Sequence, residues 1–376
     1  MCSSDLPAIT DNGTTTIQVI SNSDSNISLI TFSGNVAADT ITVGISAKAG
    51  SASFSGTVTG TNINIIGGDA ASSAENSQAT FADTVTVTAI SLDNNTSSAA
   101  ITFSGTGKTI TGTINGAAAG EGTITVSGTP TFASTIGNTY RPAQLTINGT
   151  TTFSDAVQTT ALTTTAAISN GTTLDVSSTS SIGANITTSS TQTYTGAVTL
   201  TANTTLTTTN SNVTFSSTVD GAKTLTVAQG TGTTTFTGAV GTGTNLTSVT
   251  VSGSGAIAIN GGAVTTTGAQ SYTGAVTLGA NTTLTAPSGT ILFSSTVDGG
   301  KTLTVTNNGG ANTGDVTFTG AVGGTTALTG ITITTDVLTA AAIKSTGTLS
   351  ITNAGTSSIT GIISDGSTAL AVTKDG

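Results

Sequence analysis

The chain of 376 residues contains no His and no Trp, and only one Cys and one Met. Without His, a Ser-His-Asp triad and an imidazole metal ligand are both excluded. Because Cys2 lies in a terminal segment that matches nothing else in the chain, disulfides and thiolate metal sites are excluded from the rest of it. We therefore expect no catalytic residues, no metal site, no cofactor and no enzymatic activity.

Charge is equally scarce, at 6% of residues against roughly 25% in ordinary soluble domains. Seven basic and 17 acidic residues give a net charge of −10, whereas nucleic acid and anionic membranes bind clustered Lys and Arg. The basic residues are scattered singly: Lys48, Lys108, Arg141, Lys223, Lys301, Lys344 and Lys374. No apolar run approaches the roughly 18 residues of a membrane span. We expect neither nucleic acid nor membrane insertion.

Low charge with abundant Gly, Ser and Thr also occurs in disordered tracts, but apolar residues alternate here with polar ones. Leu225 and Val227 fall on one face of a short run, and Ile257 and Ile259 on one face of another. Alternation of period two in runs bounded by Gly and Asn predicts half-buried strands. We expect an all-β chain with almost no helix.

Twelve of the thirteen aromatic residues begin one short pattern, an aromatic followed by three small residues and often Val, as in FSSTV and YTGAV. Their positions are Phe32, Phe54, Phe81, Phe103, Phe132, Phe153, Tyr194, Phe215, Phe236, Tyr272, Phe293 and Phe318. Most neighbours are 21 or 22 residues apart, with longer gaps of 27, 29, 36 and 41. A longer repeat of 78 residues relates 194–271 to 272–349.

A period near 21 made of short strands predicts a right-handed parallel β-helix (β-solenoid) of 17 or 18 coils, continuous over residues 7–376. Equivalent residues of successive coils then stack at ~4.8 Å. Like charges at that separation repel, whereas Thr, Ser and Asn form hydrogen-bonded ladders. We expect the aromatic residues to form an internal ladder.

Four aspartates recur at fixed places in the repeat. Asp83 and Asp155 lie two residues after the aromatic, and Asp220 and Asp298 lie five after it, in VDG. Calcium at a coil corner is one interpretation; an Asp turn, in which the side chain bonds nearby backbone, is the favoured one. Asp315 lies in GGANTGDV, whose spacing departs from the calcium nonapeptide.

Other candidate residues give weaker indications. The segment Phe103–Thr109, FSGTGKT, resembles a phosphate-binding loop but has Thr102 where that loop requires Gly. The only glutamates, Glu75 and Glu121, are far apart, and Arg141 is the only Arg. Glycosylation sequons recur, as at Asn12, Asn148, Asn170, Asn203, Asn245 and Asn281.

The first six residues, MCSSDL, match nothing that follows. Their reverse translation fits the tail of a common sequencing adapter. We therefore expect residues 1–6 to be a non-native translation artefact and residues 7–376 to be a fragment of a larger protein.

The units YTGAVTLGANTTLT, FSSTVDGGKTLTV and FTGAVGGTTALTGITI resemble the repeat regions of filamentous-haemagglutinin-like exoproteins and of autotransporter passengers. The resemblance covers most of the chain from about residue 28 onward. It implies the repeat region of a giant secreted or surface-anchored protein of a Gram-negative bacterium, acting as an adhesin or stalk.

Three functions remain open. The first is a structural, adhesin-type shaft of an extracellular or outer-membrane surface protein, whose contacts with host or matrix glycans and proteins lie elsewhere. The second is a Thr-rich face that binds ice or a polysaccharide, which Thr-x-Thr aligned in consecutive coils would support and irregular gaps oppose. The third is a polysaccharide-cleaving β-helix. We also expect end-to-end self-association.

Overall fold

The computed structural model describes residues 5–10, 15–21, 27–69, 76–307, 314–353, 355–361, 363–365 and 370–374. The chain divides into two compact units, unit 1 (Met1–Thr179) and unit 2 (Ser180–Gly376). Throughout the described ranges the regular elements are β-strands, with no helix among them. The expectation of an all-β chain is confirmed.

Unit 1 consists of three parallel sheets, through which the chain passes in turn. Sheet 1A contains β1 (Asp5–Leu6), β3 (Leu29–Phe32), β6 (Ser51–Phe54), β9 (Ser77–Phe81), β11 (Ala99–Phe103), β13 (Thr123–Val126), β15 (Gln144–Ile147) and β18 (Ala161–Thr164). Sheet 1B contains β4 (Val36–Ala37), β7 (Val58–Thr59), the first part of β10 (Val85–Asp93), the middle of β12 (Thr106–Gly116), β14 (Thr129–Phe132), β16 (Thr151–Phe153) and β19 (Ile168–Gly171). Sheet 1C contains β2 (Thr16–Val19), β5 (Thr40–Val43), β8 (Asn62–Ile66), the ends of β10 and β12, a bridge at Ile136, β17 (Val157–Thr159) and β20 (Leu174–Val176).

Unit 2 repeats this arrangement with three sheets of its own. Sheet 2A contains β21 (Ser180–Ile182), β24 (Val198–Leu200), β27 (Val219–Asp220), a bridge at Val240, β32 (Ala263–Thr265), β35 (Thr282–Thr285), β38 (Thr302–Asn307), β40 (Gly330–Thr335), β43 (Leu349–Asn353) and β46 (Leu370–Lys374). Sheet 2B contains β22 (Ile186–Thr188), β25 (Thr204–Thr208), β28 (Thr224–Ala228), β30 (Ser248–Val251), β33 (Gln270–Tyr272), β36 (Ile291–Phe293), β39 (Asp315–Phe318), β41 (Val337–Ala340) and β44 (Ser358–Ile359). Sheet 2C contains β23 (Gln192–Tyr194), β26 (Val213–Phe215), β29 (Thr234–Phe236), β31 (Ile257–Ile259), β34 (Val276–Leu278), β37 (Val297–Asp298), a bridge at Val322, β42 (Ile343–Ser345) and β45 (Ile363–Asp365).

Each unit is therefore a parallel β-solenoid, and the described residues complete about 15 turns of about 21 residues. This is somewhat fewer than the 17 or 18 expected for the whole chain, since parts of the terminal turns lie outside the described residues. Turn length varies, from 17 residues between Gln144 and Ala161 to 28 between Thr302 and Gly330. Extra residues sit in the corners, so the strands stay in register.

Alternation along each strand places the core. In β25 the residues are buried and half-buried in turn, with Leu206 inward and Thr205 and Thr207 outward. Leu225 and Val227 are likewise fully buried. Because successive side chains of a strand point to opposite faces, each three-strand turn lines one apolar interior.

The aromatic residues of unit 1 form two ladders instead of one. Phe32, Phe54, Phe81 and Phe103 stack along sheet 1A, with ring centroids 4.8, 4.8 and 5.9 Å apart. Sheet 1A then continues with Val126, while Phe132 and Phe153 stack at 5.1 Å on sheet 1B. Phe103 and Phe132 meet edge to face at 5.1 Å, so the 29-residue gap marks a change of sheet.

Unit 2 also has two ladders. Tyr194, Phe215 and Phe236 stack on sheet 2C, where Ile259 follows them. Tyr272, Phe293 and Phe318 stack on sheet 2B. The prediction of one internal ladder is therefore wrong in number, although all twelve rings are inside.

The two copies of the 78-residue repeat consequently occupy different faces. Tyr194 lies on sheet 2C, whereas its counterpart Tyr272 lies on sheet 2B. The offset is three turns plus two further strands, so the same local sequence faces the core from another side. The three sheets of this unit are thus interchangeable surroundings for one repeat.

No helix of the described residues has the length and apolar character needed to cross a membrane. Within the segment expected to be non-native, Asp5 and Leu6 pair with β3, and residues 1–4 lie outside the described residues. Glu75 and Asn12 lie outside them too.

Candidate functional site: a threonine face and capped corner loops

Sheet 2A carries a regular outward array of hydroxyl side chains on β35, β38, β40 and β43. Register pairs Thr283 with Thr304, Thr304 with Thr332, and Thr332 with Ser350. A second column runs two residues further along the same strands: Thr285, Thr306, Thr334 and Thr352. We call these eight residues the threonine face.

The threonine face has the two spacings of its sheet. Neighbouring members of a column lie about 4.8 Å apart, and the two columns lie about 6.6 Å apart along each strand. Leu284, Val305 and Ile333, which separate the columns, point inward and are at most 1% exposed. The face is therefore a flat, uncharged lattice of methyl and hydroxyl groups.

A shallow groove of about 330 Å³ opens on this face. It is lined by Thr302, Leu303, Thr304, Thr329, Gly330, Ile331, Thr332 and Thr348. Gly330 pairs with Thr302 in the sheet, and its lack of a side chain opens the groove beside the Thr304 column.

Asp220 and Asp298 each cap a loop one turn ahead. Asp220 Oδ1 accepts hydrogen bonds from Gly243 N (2.8 Å) and Thr244 N (3.0 Å). Asp298 Oδ1 accepts them in the same way from two consecutive amides, Thr325 N (2.8 Å) and Thr326 N (2.9 Å). The Asp-turn interpretation was right about a backbone role, but the partner lies in the next turn.

Three corner loops share this construction: loop 1 (137–141), loop 2 (241–245) and loop 3 (323–327). Each begins with Gly at positive φ, of 74°, 69° and 69° for Gly137, Gly241 and Gly323. A Cβ on any of them would also lie within 2.2 Å of a carbonyl oxygen of the next turn. In loop 1 the cap is an amide, Asn115 Oδ1, which accepts from Thr139 N at 3.0 Å.

Asp83 and Asp155 cap their own turns. The Asp83 carboxylate accepts from Thr84 N at 2.7 Å and pairs with Lys108 Nζ at 2.8 Å. The hydrogen bond from Lys108, followed by that from Thr84, holds the pKa of Asp83 below its usual value. Asp155 Oδ1 accepts from Ala156 N at 2.7 Å. The observed contacts of these aspartates are structural.

The weaker candidates also have local roles. Lys108 of FSGTGKT is held by Asp83, and the segment passes directly into β12. Glu121 Oε2 accepts from Ala118 N at 3.0 Å. Asp315 begins β39, where its carbonyl accepts from Asn307 Nδ2 at 3.2 Å.

Asparagines of several sequons hold the adjacent turn. Asn203 Oδ1 accepts from Thr224 N (3.0 Å), and Asn281 Oδ1 accepts from Thr302 N (3.1 Å), each 21 residues on. Asn148 Oδ1 accepts from the Thr165 hydroxyl at 2.9 Å. Asn245 lies exposed in loop 2, and Asn170 lies in β19. The recurrence of Asn thus has a structural cause in the turns.

The sequence gave no sign of a buried polar network that occurs twice. Tyr194 donates its hydroxyl hydrogen to Gln192 Oε1 (3.0 Å), and Gln192 Nε2 donates to Thr207 O (2.9 Å). Tyr272 and Gln270 repeat the contact at 3.0 Å. Burial raises the pKa of both phenols far above the usual value, so both stay neutral hydrogen-bond donors within the ladder.

Arg141 is paired with Asp175, a partner that sequence reasoning missed. Its guanidinium donates to the Asp175 carboxylate and to the Asp175 carbonyl oxygen (3.1 Å). Among the residues that the structure describes, no three His, Cys, Asp or Glu side chains come together as a metal site.

No family model, no curated protein and no solved structure matches the chain. The resemblance to filamentous-haemagglutinin-like exoproteins therefore rests on the repeat residues and on the solenoid fold.

Proposed function

We propose that the chain is the structural shaft, or adhesin-type repeat region, of a large bacterial protein that is secreted or held at the cell surface. One observation carries the proposal: the described turns are devoted to stacking. Twelve aromatic side chains lie fully buried in ladders, and the aspartates and asparagines with assigned contacts hold the backbone of their own or the next turn.

A shaft also has to resist pulling along its length. Every pair of strands within a unit is parallel and joins residues about one turn apart, as Phe215 joins Phe236. Each turn must therefore open separately, since a repeat array is stabilised by contacts between neighbours.

The location can be tested with antibodies raised against residues 76–307. Intact cells that express the full gene should be labelled, and protease added to those cells should remove the label. A cytoplasmic marker controls for lysis. Labelling that appears only after the cells are broken would contradict a surface shaft.

A second function is favoured by a specific observation, the threonine face. Thr-x-Thr on β35, β38 and β40 stands at one fixed position in consecutive turns, which was the condition set for a face that binds ice or a polysaccharide. The opposing argument from irregular gaps is weakened, because the 29- and 36-residue gaps reflect changes of sheet and the turn-length differences lie in corners.

Thermal hysteresis tests the second function. If the face binds ice, the wild-type protein shows hysteresis, Thr332→Tyr abolishes it by disrupting the lattice, and Thr214→Tyr on sheet 2C leaves it intact. Absence of hysteresis in the wild type, together with no retention on insoluble cellulose or chitin, removes this function.

A further inference from the structure

Tyr140 differs from every other aromatic residue of the chain. The twelve ladder aromatics are less than 2% exposed, whereas Tyr140 is 46% exposed. Its position in loop 1 is equivalent to Thr244 in loop 2 and Thr326 in loop 3. Because both of those loops form with Thr at this place, the fold of loop 1 does not require the ring.

The ring is presented by an ordered backbone. Tyr140 O accepts from Gly116 N (3.1 Å), and Arg141 O accepts from Gly120 N (2.9 Å). The Asn115 side chain caps Thr139 N at 3.0 Å. Loop 1 is thus bonded on both sides of Tyr140, so a ligand that contacts the ring meets a surface that is already positioned.

The charge beside the ring is neutralised within the protein. Arg141 follows Tyr140 directly and is paired with Asp175. Its guanidinium is therefore committed to a carboxylate and does not select an anionic ligand. Asn138, Thr139 and Gln144, close to the ring in the chain, offer amide and hydroxyl groups.

The surroundings also bear on the kind of partner. A protein interface has an apolar core and buries roughly 1,200–2,000 Å² in total. Besides Tyr140, the described residues expose only two large apolar side chains, Leu6 and Leu29, both on sheet 1A. A single ring among uncharged polar groups suits a sugar, whose apolar face covers one aromatic ring while its hydroxyls bond amides.

We propose that Tyr140 is the centre of a contact site for a neutral oligosaccharide on loop 1, independent of the threonine face. The sugar ring lies against the Tyr140 ring, and the polar side chains of loop 1 bond its hydroxyl groups. This goes beyond a shaft, because it assigns a glycan contact to the solenoid itself.

Tyrosine fluorescence gives a direct test, since the chain has no Trp and its other two Tyr are buried. Cellopentaose, maltopentaose and chitopentaose are titrated into the whole chain, and quenching by acrylamide is measured. At least one sugar should shield Tyr140 from acrylamide. Tyr140→Thr should weaken binding by about tenfold or more, measured by calorimetry, whereas Tyr140→Phe should retain most of it.

Two controls make the outcome decisive. Tyr140→Thr adopts the residue found in loops 2 and 3, so its circular dichroism and melting should match the wild type. Thr332→Tyr, on the threonine face, should bind the sugar normally. The proposal is overturned if none of the three sugars binds at millimolar concentration, if Tyr140→Thr binds as well as the wild type, or if Thr332→Tyr alone abolishes binding.

Discussion

The ladder on sheet 2C allows a quantitative test of the stacking principle at Phe215. Its ring lies 5.4 Å from that of Tyr194 and 5.2 Å from that of Phe236, and the side chain is fully buried. Truncating a buried Phe to Ala costs about 3–5 kcal/mol, depending on how far the surroundings collapse. Both stacking contacts are lost in Phe215→Ala, so we expect a cost within that range.

The cost should be local, because each turn of a solenoid contacts only its neighbours. Native-state hydrogen exchange of β25 and β28 should therefore accelerate by roughly 10²–10³-fold, at 1.4 kcal/mol for each factor of ten. Amides of β9 and β11 in unit 1 should keep their protection and serve as an internal reference.

The matched control is Thr214→Ala, one residue earlier in the same strand and facing outward. It should change exchange little, since no buried volume is lost. Phe215→Leu should cost less than Phe215→Ala, because Ile259 already follows the ladder in this column. If Phe215→Ala and Thr214→Ala have the same effect, the ladder does not stabilise the solenoid as argued.

Three further outcomes are expected. Gln192→Leu leaves the Tyr194 hydroxyl buried without its acceptor, so the free energy of unfolding should fall by about 1–3 kcal/mol in urea titrations, and adding Tyr194→Phe should restore part of it. Deletion of 194–271 should leave a protein with unchanged β-sheet circular dichroism, because the segment from 272 repeats the deleted one; aggregation of the purified product would count against interchangeable faces. The pKa of Asp83 is lowered by Lys108, so its stabilising effect is present above the unfolded-state pKa and is lost as pH falls through the folded-state pKa. The difference in melting temperature between wild type and Asp83→Asn should therefore be larger at pH 7 than at pH 3, and an equal difference at both would refute the pairing.

The strands and their inward faces were predictable because alternation is a local property. Leu225 and Val227 were assigned to the core from two residues of pattern, and both are fully buried. The aromatic positions were assigned inside for a similar reason, since a 21-residue recurrence stacks equivalent residues. The register of Phe32 on Phe54 and of Phe215 on Phe236 follows directly from that spacing.

The partners of the corner residues were not predictable from single repeats. Asp220 was expected to bond its own turn, yet its acceptor oxygen serves amides 23 and 24 residues ahead. The pairing of Arg141 with Asp175 spans 34 residues. Contacts of this kind depend on how many residues each intervening corner holds, and turn length varies from 17 to 28.

The amino-acid sequence by itself determined that this chain forms short strands, that they stack in parallel turns of about 21 residues, and that its aromatic side chains lie inside. Alternation and period are properties of neighbouring residues and need no knowledge of the remaining chain. Only the tertiary structure decided which sheet each ladder occupies, which hydroxyl columns align on sheet 2A, and that Tyr140 faces solvent. The physical reason is that a residue's face depends on the sum of all preceding corner lengths, so a few residues added in one loop rotate everything that follows.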